Sequence, residues 1–259
     1  MGLSNWFPQS PAAEVQSGTL QVGWMLTETK AGIVYYPPER VRSASMNKGH
    51  AKSASRCPAI IDMESRHFVV RVPFDLHLRF SRDKSGKPGL RNILGDKSPV
   101  RPSILNKVLH VTKESEWRYA DKPSIQVSLP YLFIADEPTY MTQLDAFMHY
   151  RKTPLPGTIF GGRFPIDVWP RPLMWAFEWH DIQEDLILKR GDPWFYLKFE
   201  TTPQNRPVSL VEATSTPELE AYLRHLSSAV NYVNQSFSLF KEAKKVRPAQ
   251  LLVPKKHTK

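Results

Sequence analysis

Two short patterns place a carboxylate and an imidazole two residues apart: Asp75 with His77, and Glu178 with His180, the latter followed by Asp181. On a β-strand, residues i and i+2 project from one face, so each pair could offer an oxygen and a nitrogen to the same ion. Two histidines with one or two carboxylates suit non-haem iron and similar divalent metals. If the two strands were neighbours inside a barrel, the four residues would form the donor set of a metal-dependent, cupin-like enzyme. The same spacing supports a plainer reading. Asp75, His77 and Arg79 alternate with Phe74, Leu76, Leu78 and Phe80, so the polar set faces water if the apolar set faces a core.

A second group of residues could bind rather than react. Trp175, Trp179, Trp194 and Tyr196, with Trp169 and Phe195 nearby, offer rings on which bases or sugars could stack. Alternating aromatics in strands also serve as core and inter-sheet packing. The chain carries 35 Lys and Arg against 25 Asp and Glu, a formal charge of +10. That excess favours polyanions and makes nucleic acid a candidate partner. Much of it sits in two segments that read as a solvated loop and a tail, 39–56 and 241–259, which fits a non-specific, salt-sensitive contact.

Several chemistries are excluded or lack their signatures. Cys57 is the single cysteine, so neither an intramolecular disulfide nor a cysteine-based zinc site can form. Cys57 precedes Pro58 with no identifiable base, which reads as a buried or structural thiol. The sequence holds no phosphate-binding glycine loop, no Gly-x-Ser-x-Gly elbow, no His-Glu-x-x-His and no kinase set. No apolar run approaches the roughly 20 residues that span a bilayer, and the first residues lack a basic and then apolar leader, so a cytoplasmic location is expected.

The elements that must position these residues are mostly strands. Twenty-three prolines against 12 glycines favour short strands joined by stiff loops. Residues 19–36 read as two strands, and 59–62 with 67–72 as a hairpin. Residues 74–80 and 173–180 show strict period-two alternation, and 186–188 and 194–199 follow as apolar or aromatic strands. Residues 104–111 and 124–134 also read as strands, while 140–150 fits either a short helix or a strand. One long helix is expected over 217–247. Thr216 caps it, Pro217 opens it, and Glu218 and Glu220 complement its positive end. Its stripe includes Leu226, Val230, Val233 and Phe237, which would lie on the core, on a protein partner or on a second copy of the chain. At 1.5 Å per residue such a helix spans about 45 Å. The expected organisation is a flexible segment 1–18, a β-rich domain 19–216, the amphipathic helix 217–247 and a basic tail 248–259. The fold class is mainly β with one long C-terminal helix (α+β), its core an antiparallel sandwich or jelly-roll-like pair of sheets.

The stretch Arg56-Cys57-Pro58-Ala59-Ile60-Ile61-Asp62, with Pro73-Phe74-Asp75 after the next strand, resembles a pattern in uncharacterised proteins from bacteriophages and marine bacteria. So does Pro172-Leu173-Met174-Trp175 followed by Leu186-Ile187-Leu188-Lys189-Arg190-Gly191-Asp192-Pro193. The resemblance implies a β-rich fold and a phage or bacterial setting; it brings no activity, cofactor or catalytic residue. The leading expectation is a non-enzymatic binding or assembly protein. A nucleic-acid binder and a divalent-metal enzyme are the alternatives.

Overall fold

The computed structural model describes residues 18–28, 33–43, 49–204, 206–230 and 236–256, with the side chains of residues 236 and 237 outside that description. Period-two alternation becomes strand wherever one face can be buried. The elements run β1 (Leu20–Leu26), β2 (Glu39–Arg40), α1 (Pro58–Glu64), β3 (His67–Arg71), β4 (Leu76–Arg82) and β5 (Pro88–Asn92). Next come α2 (Pro102–Val108), β6 (Leu109–Val111), β7 (Ser124–Ser128), β8 (Tyr131–Ile134), β9 (Tyr140–Asp145) and β10 (Gly157–Ile159). The rest are β11 (Arg163–Pro165), β12 (Met174–Trp179), β13 (Leu186–Leu188), β14 (Pro193–Glu200), β15 (Val208–Glu212), α3 (Pro217–Ala229) and α4 (Ser236–Val246).

The chain is therefore mainly β with helices, as its sequence predicts, and its strands form four sheets. Their orders are β15-β1-β8, β10-β12-β7-β6, β11-β9-β14-β3-β2 and β13-β4-β5. Among the described strands, β1 with β15 is the one parallel pair. All four sheets turn apolar side chains into one core. Trp175 lies 5.1 Å from Trp194 across β12 and β14, Phe133 lies 5.6 Å from Phe199 across β8 and β14, and Phe80 lies 6.5 Å from Trp179 across β4 and β12.

Three of the expected strands depart from the sequence-based expectation. Residues 59–62 form part of α1, not a strand, because Pro58 sits at the first helical position and the Cys57 carbonyl accepts from the Ile60 and Ile61 amides at 3.0 and 2.9 Å. Pro102 starts α2 in the same way, so most of 104–111 is helical before β6 begins. A short apolar run fits helix or strand equally, and in both places the proline decides. Residues 33–38 lie outside any strand, although Ile33 is buried.

The expected single helix over 217–247 is two helices, α3 and α4, packed on each other. A straight helix of that length would carry its far end off the sheet. In the observed arrangement Leu239, Phe240 and Ala243 return to the apolar cluster that holds Leu219, Tyr222 and Leu226. The pair covers the face of the β15-β1-β8 sheet that carries Leu132, Ile134 and Ala213. The Tyr222 hydroxyl donates to the Val168 carbonyl at 2.6 Å and lies 3.2 Å from that of Ala243, and burial pushes its pKa up to about 12, so it stays a donor.

The expected basic tail also differs. Its described part packs as a strap. Leu251 and Leu252 are buried, their amides donate to Asp136 Oδ1 at 2.6 and 3.1 Å, and Pro254 bridges Ala213. Gly23 makes room for it, since a Cβ there would sit 2.4 Å from Leu252 Cδ1. Residues 1–17 and 257–259 lie outside the described residues, and among those described no helix is long and apolar enough to cross a membrane.

Leu226 is 3% exposed within this cluster. Leu226→Ala is expected to cost about 2–5 kcal/mol of unfolding free energy in urea titrations. A loss under about 0.5 kcal/mol, the range for surface substitutions, would mean that Leu226 does not pack on its own chain.

Candidate functional site

The carboxylate–histidine pairs do not converge. β4, with Asp75 just before it, and β12 belong to different sheets. His77 Nε2 lies 2.7 Å from Asp185 Oδ2, and Arg79 donates to both oxygens of that carboxylate at 2.7 and 2.8 Å. Asp75 accepts the Arg190 amide at 2.8 Å. Glu178, 3% exposed, takes a two-pronged contact from Arg118 at 2.7 and 2.8 Å, and His180 Nε2 lies 3.0 Å away. Among the described residues no three His, Cys, Asp or Glu stand where they could hold a metal ion together.

These groups act as clamps. The guanidinium of Arg79, then the bond with His77, holds the Asp185 carboxyl down at about 2. Arg118 foremost, then His180, holds the Glu178 carboxyl below its ordinary range. A carboxylate gripped by an arginine fork is ionised and already bonded, so it is a poor proton donor at neutral pH. Asp185 stands just before β13, which pairs with β4, so its clamp reinforces that pairing. Neither Asp185, Arg79 nor Arg118 belonged to the predicted sets, because each lies far from its partner in sequence.

The aromatic candidates are enclosed. Trp175, Trp179 and Trp194 are 0, 0 and 1% exposed. Trp175 stacks on Phe177 at 5.1 Å and 14°. Trp179 Nε1 donates to the carbonyls of Asp181 and Glu184 at 2.8 and 3.1 Å. Tyr196 is buried on the other face of its sheet, 5.3 Å from Phe147. None of the four offers an open ring face for a base. Two arginines of the basic segments are also committed inward. Arg40 donates to the Glu64 and Ser65 carbonyls at 3.0 and 2.6 Å. Arg247 donates to the Asp167, Ala135 and Asp136 carbonyls at 2.6, 3.2 and 3.0 Å. Cys57, expected to be buried or structural, is exposed.

The predicted partner face of the helix divides. Leu226 points into the chain's own core, while Val230 is 56% exposed. Val233 and the Phe237 side chain lie outside the described residues. Leu226 and Val230 both line a cavity of about 850 Å³ between the C-terminal half of α3 and residues 169–174. Trp169, Leu173, Met174 and Leu223 complete its apolar wall, and Thr27, Ser128, Arg171 and Arg224 supply polar groups. A second pocket of about 310 Å³ has Trp169, Arg171 and Met174 in its lining too, together with Gln143, Phe160, Phe164, Leu239 and Phe240. Cavities of about 300–1,000 Å³ with apolar walls and a few polar groups are the size and chemistry of small-molecule sites. Its sequence signal is faint. Pro170 and Pro172 cannot donate to a ladder, so the segment bridges the sheets as an extended connector, with Arg171 between the two prolines.

A polar pocket of about 280 Å³ near α1 holds Asp62, Arg66, His67, Lys198 and Glu200. Its charges are matched internally: Arg66 pairs with Asp62, and Lys198 lies 2.8 Å from Glu200. Burial lowers the His67 pKa, and its Nδ1 lies 2.6 Å from the Met63 carbonyl. No family model, curated protein or solved structure matches the chain.

The Asp185 clamp has a pH signature. Its folded-state pKa of about 2 lies below the ordinary 3.8, so its contribution to stability is complete above that value and is lost as pH falls towards 2. Asp185→Asn should therefore lower the urea midpoint at pH 6, with the gap to wild type closing between about pH 4 and pH 2. A gap that stays constant over that interval would show that the carboxylate is not held ionised by its partners.

Proposed function

We propose that this is a non-enzymatic binding protein that takes a small apolar ligand in the cleft between α3 and residues 169–174. One observation carries the reading: a cavity of about 850 Å³ with apolar walls and few polar groups. The acids and histidines that could have done chemistry are engaged in clamps, and the stacking candidates are part of the core, which supports binding over catalysis. Ligand affinity here comes from water released from apolar wall and ligand, at about 25 cal/mol per Å² removed. The walls belong to packed elements, so little ordering is needed on binding. The resemblance to phage and marine-bacterial proteins supports a phage or bacterial setting for this role, in the cytoplasm.

A neutral fluorescent naphthylamine that brightens in apolar surroundings tests the reading. It should bind saturably to the wild type. Ser227→Trp, an exposed helix position on the cleft wall, should weaken binding at least tenfold without changing the unfolding midpoint. No saturable binding to the wild type, or equal binding to the variant, rejects the cleft as the site.

A further inference from the structure

The cleft's charges are one-sided. Among the described residues no aspartate or glutamate lines either pocket, while Arg171 lines both and Arg224 lines the larger. Arg224 is loosely held, 4.0 Å from Glu220 and mostly exposed. Arg171 is exposed and has no hydrogen-bond or ion-pair partner among the described residues. Elsewhere the arginines that line structural contacts are matched: Arg79 to Asp185, Arg118 to Glu178, Arg206 to Glu137. The prolines on either side of Arg171 fix their own φ angles and lack amide hydrogens, so donor capacity at this point rests mainly on the guanidinium. The smaller pocket adds a second unmet donor. Gln143 is 6% exposed, and its Nε2 has no hydrogen-bond partner among the described residues.

We infer that the ligand is an amphipathic carboxylate, with an acyl or aromatic body lying on the apolar wall of the cleft and its carboxylate on the guanidinium of Arg171. This assignment rests on the cleft being the binding site and adds the ligand's chemical class. A planar guanidinium matches a carboxylate with two parallel N–H···O bonds, and a partly apolar surround strengthens the pair relative to open water. A cationic ligand would meet two arginines and no acid among the described lining residues. A neutral one would leave Arg171 unmatched on the wall common to both pockets.

Displacement of the naphthylamine by three ligands with the same ten-carbon chain separates the cases: decanoate, decanol and decylammonium. Decanoate should bind at least tenfold more tightly than decanol, decylammonium most weakly, and the decanoate advantage should shrink with added salt. In Arg171→Gln, decanoate should fall to the affinity of decanol while decanol is unchanged, with the unfolding midpoint confirming that the variant folds. Equal binding of decanoate and decanol to the wild type overturns the carboxylate assignment and leaves the cleft reading standing. An intact decanoate advantage in Arg171→Gln overturns the role of Arg171. Failure of the naphthylamine itself to bind removes both.

Discussion

Trp175 lies 5.1 Å from Phe177 on its own strand and 5.1 Å from Trp194 on β14, and through that contact two separate sheets meet. The sheets have three to five strands each, and many of those strands are short. Strands this short gain little alone and need an apolar face covered. Aromatic side chains, each burying about 150–250 Å², provide that cover in few residues. Phe199 joins Phe133 and Phe68, and Trp179 joins Phe80, so every sheet is tied to the core by rings in edge or tilted contact. The packing takes precedence over polar satisfaction: the Nε1 atoms of Trp175 and Trp194 are buried without a partner among the described residues. The α3–α4 pair and the C-terminal strap then cover the remaining apolar face of the β15-β1-β8 sheet, and the cleft lies where α3 meets the connector 169–174.

How much of this was legible depends on the range of the interactions. The alternation in 74–80 and 173–179 gave β4 and β12 because one strand's own residues carry that signal. Thr216 and Pro217 gave the start of α3 for the same reason: the Thr216 hydroxyl accepts the Leu219 amide at 3.2 Å. The helix's interruption was not legible. No proline or glycine stands between Ala229 and Ser236, although Asn231 and Asn234 are weak helix formers. The break is set by tertiary packing that draws Ala243 back to Tyr222. The two prolines that open α1 and α2 were legible signals outweighed by apolar runs.

Of the site, the paired carboxylates and histidines were visible and their partners were not. Glu178 meets Arg118 across 60 residues of chain, and His77 meets Asp185 across 108. These partners convert a donor set for a metal into two clamps. The cleft draws its lining from residues near 27, 128, 169–174 and 223–230, so no local pattern could have announced it. Basic charge shows the same division. Arg40 and Arg247 are used on backbone carbonyls, whereas Arg171 stands at the cleft with no acid among the described lining residues.

The account turns on occupancy of that cleft, and hydrogen–deuterium exchange with and without decanoate reports it directly. Backbone amides whose opening is resisted by a bound ligand exchange more slowly. Added protection in 223–230 and in the non-proline amides of 169–174, with β4 and β13 unchanged, is the predicted result. Protection confined to the 280 Å³ polar pocket near α1, or no change anywhere at saturating decanoate, would contradict it.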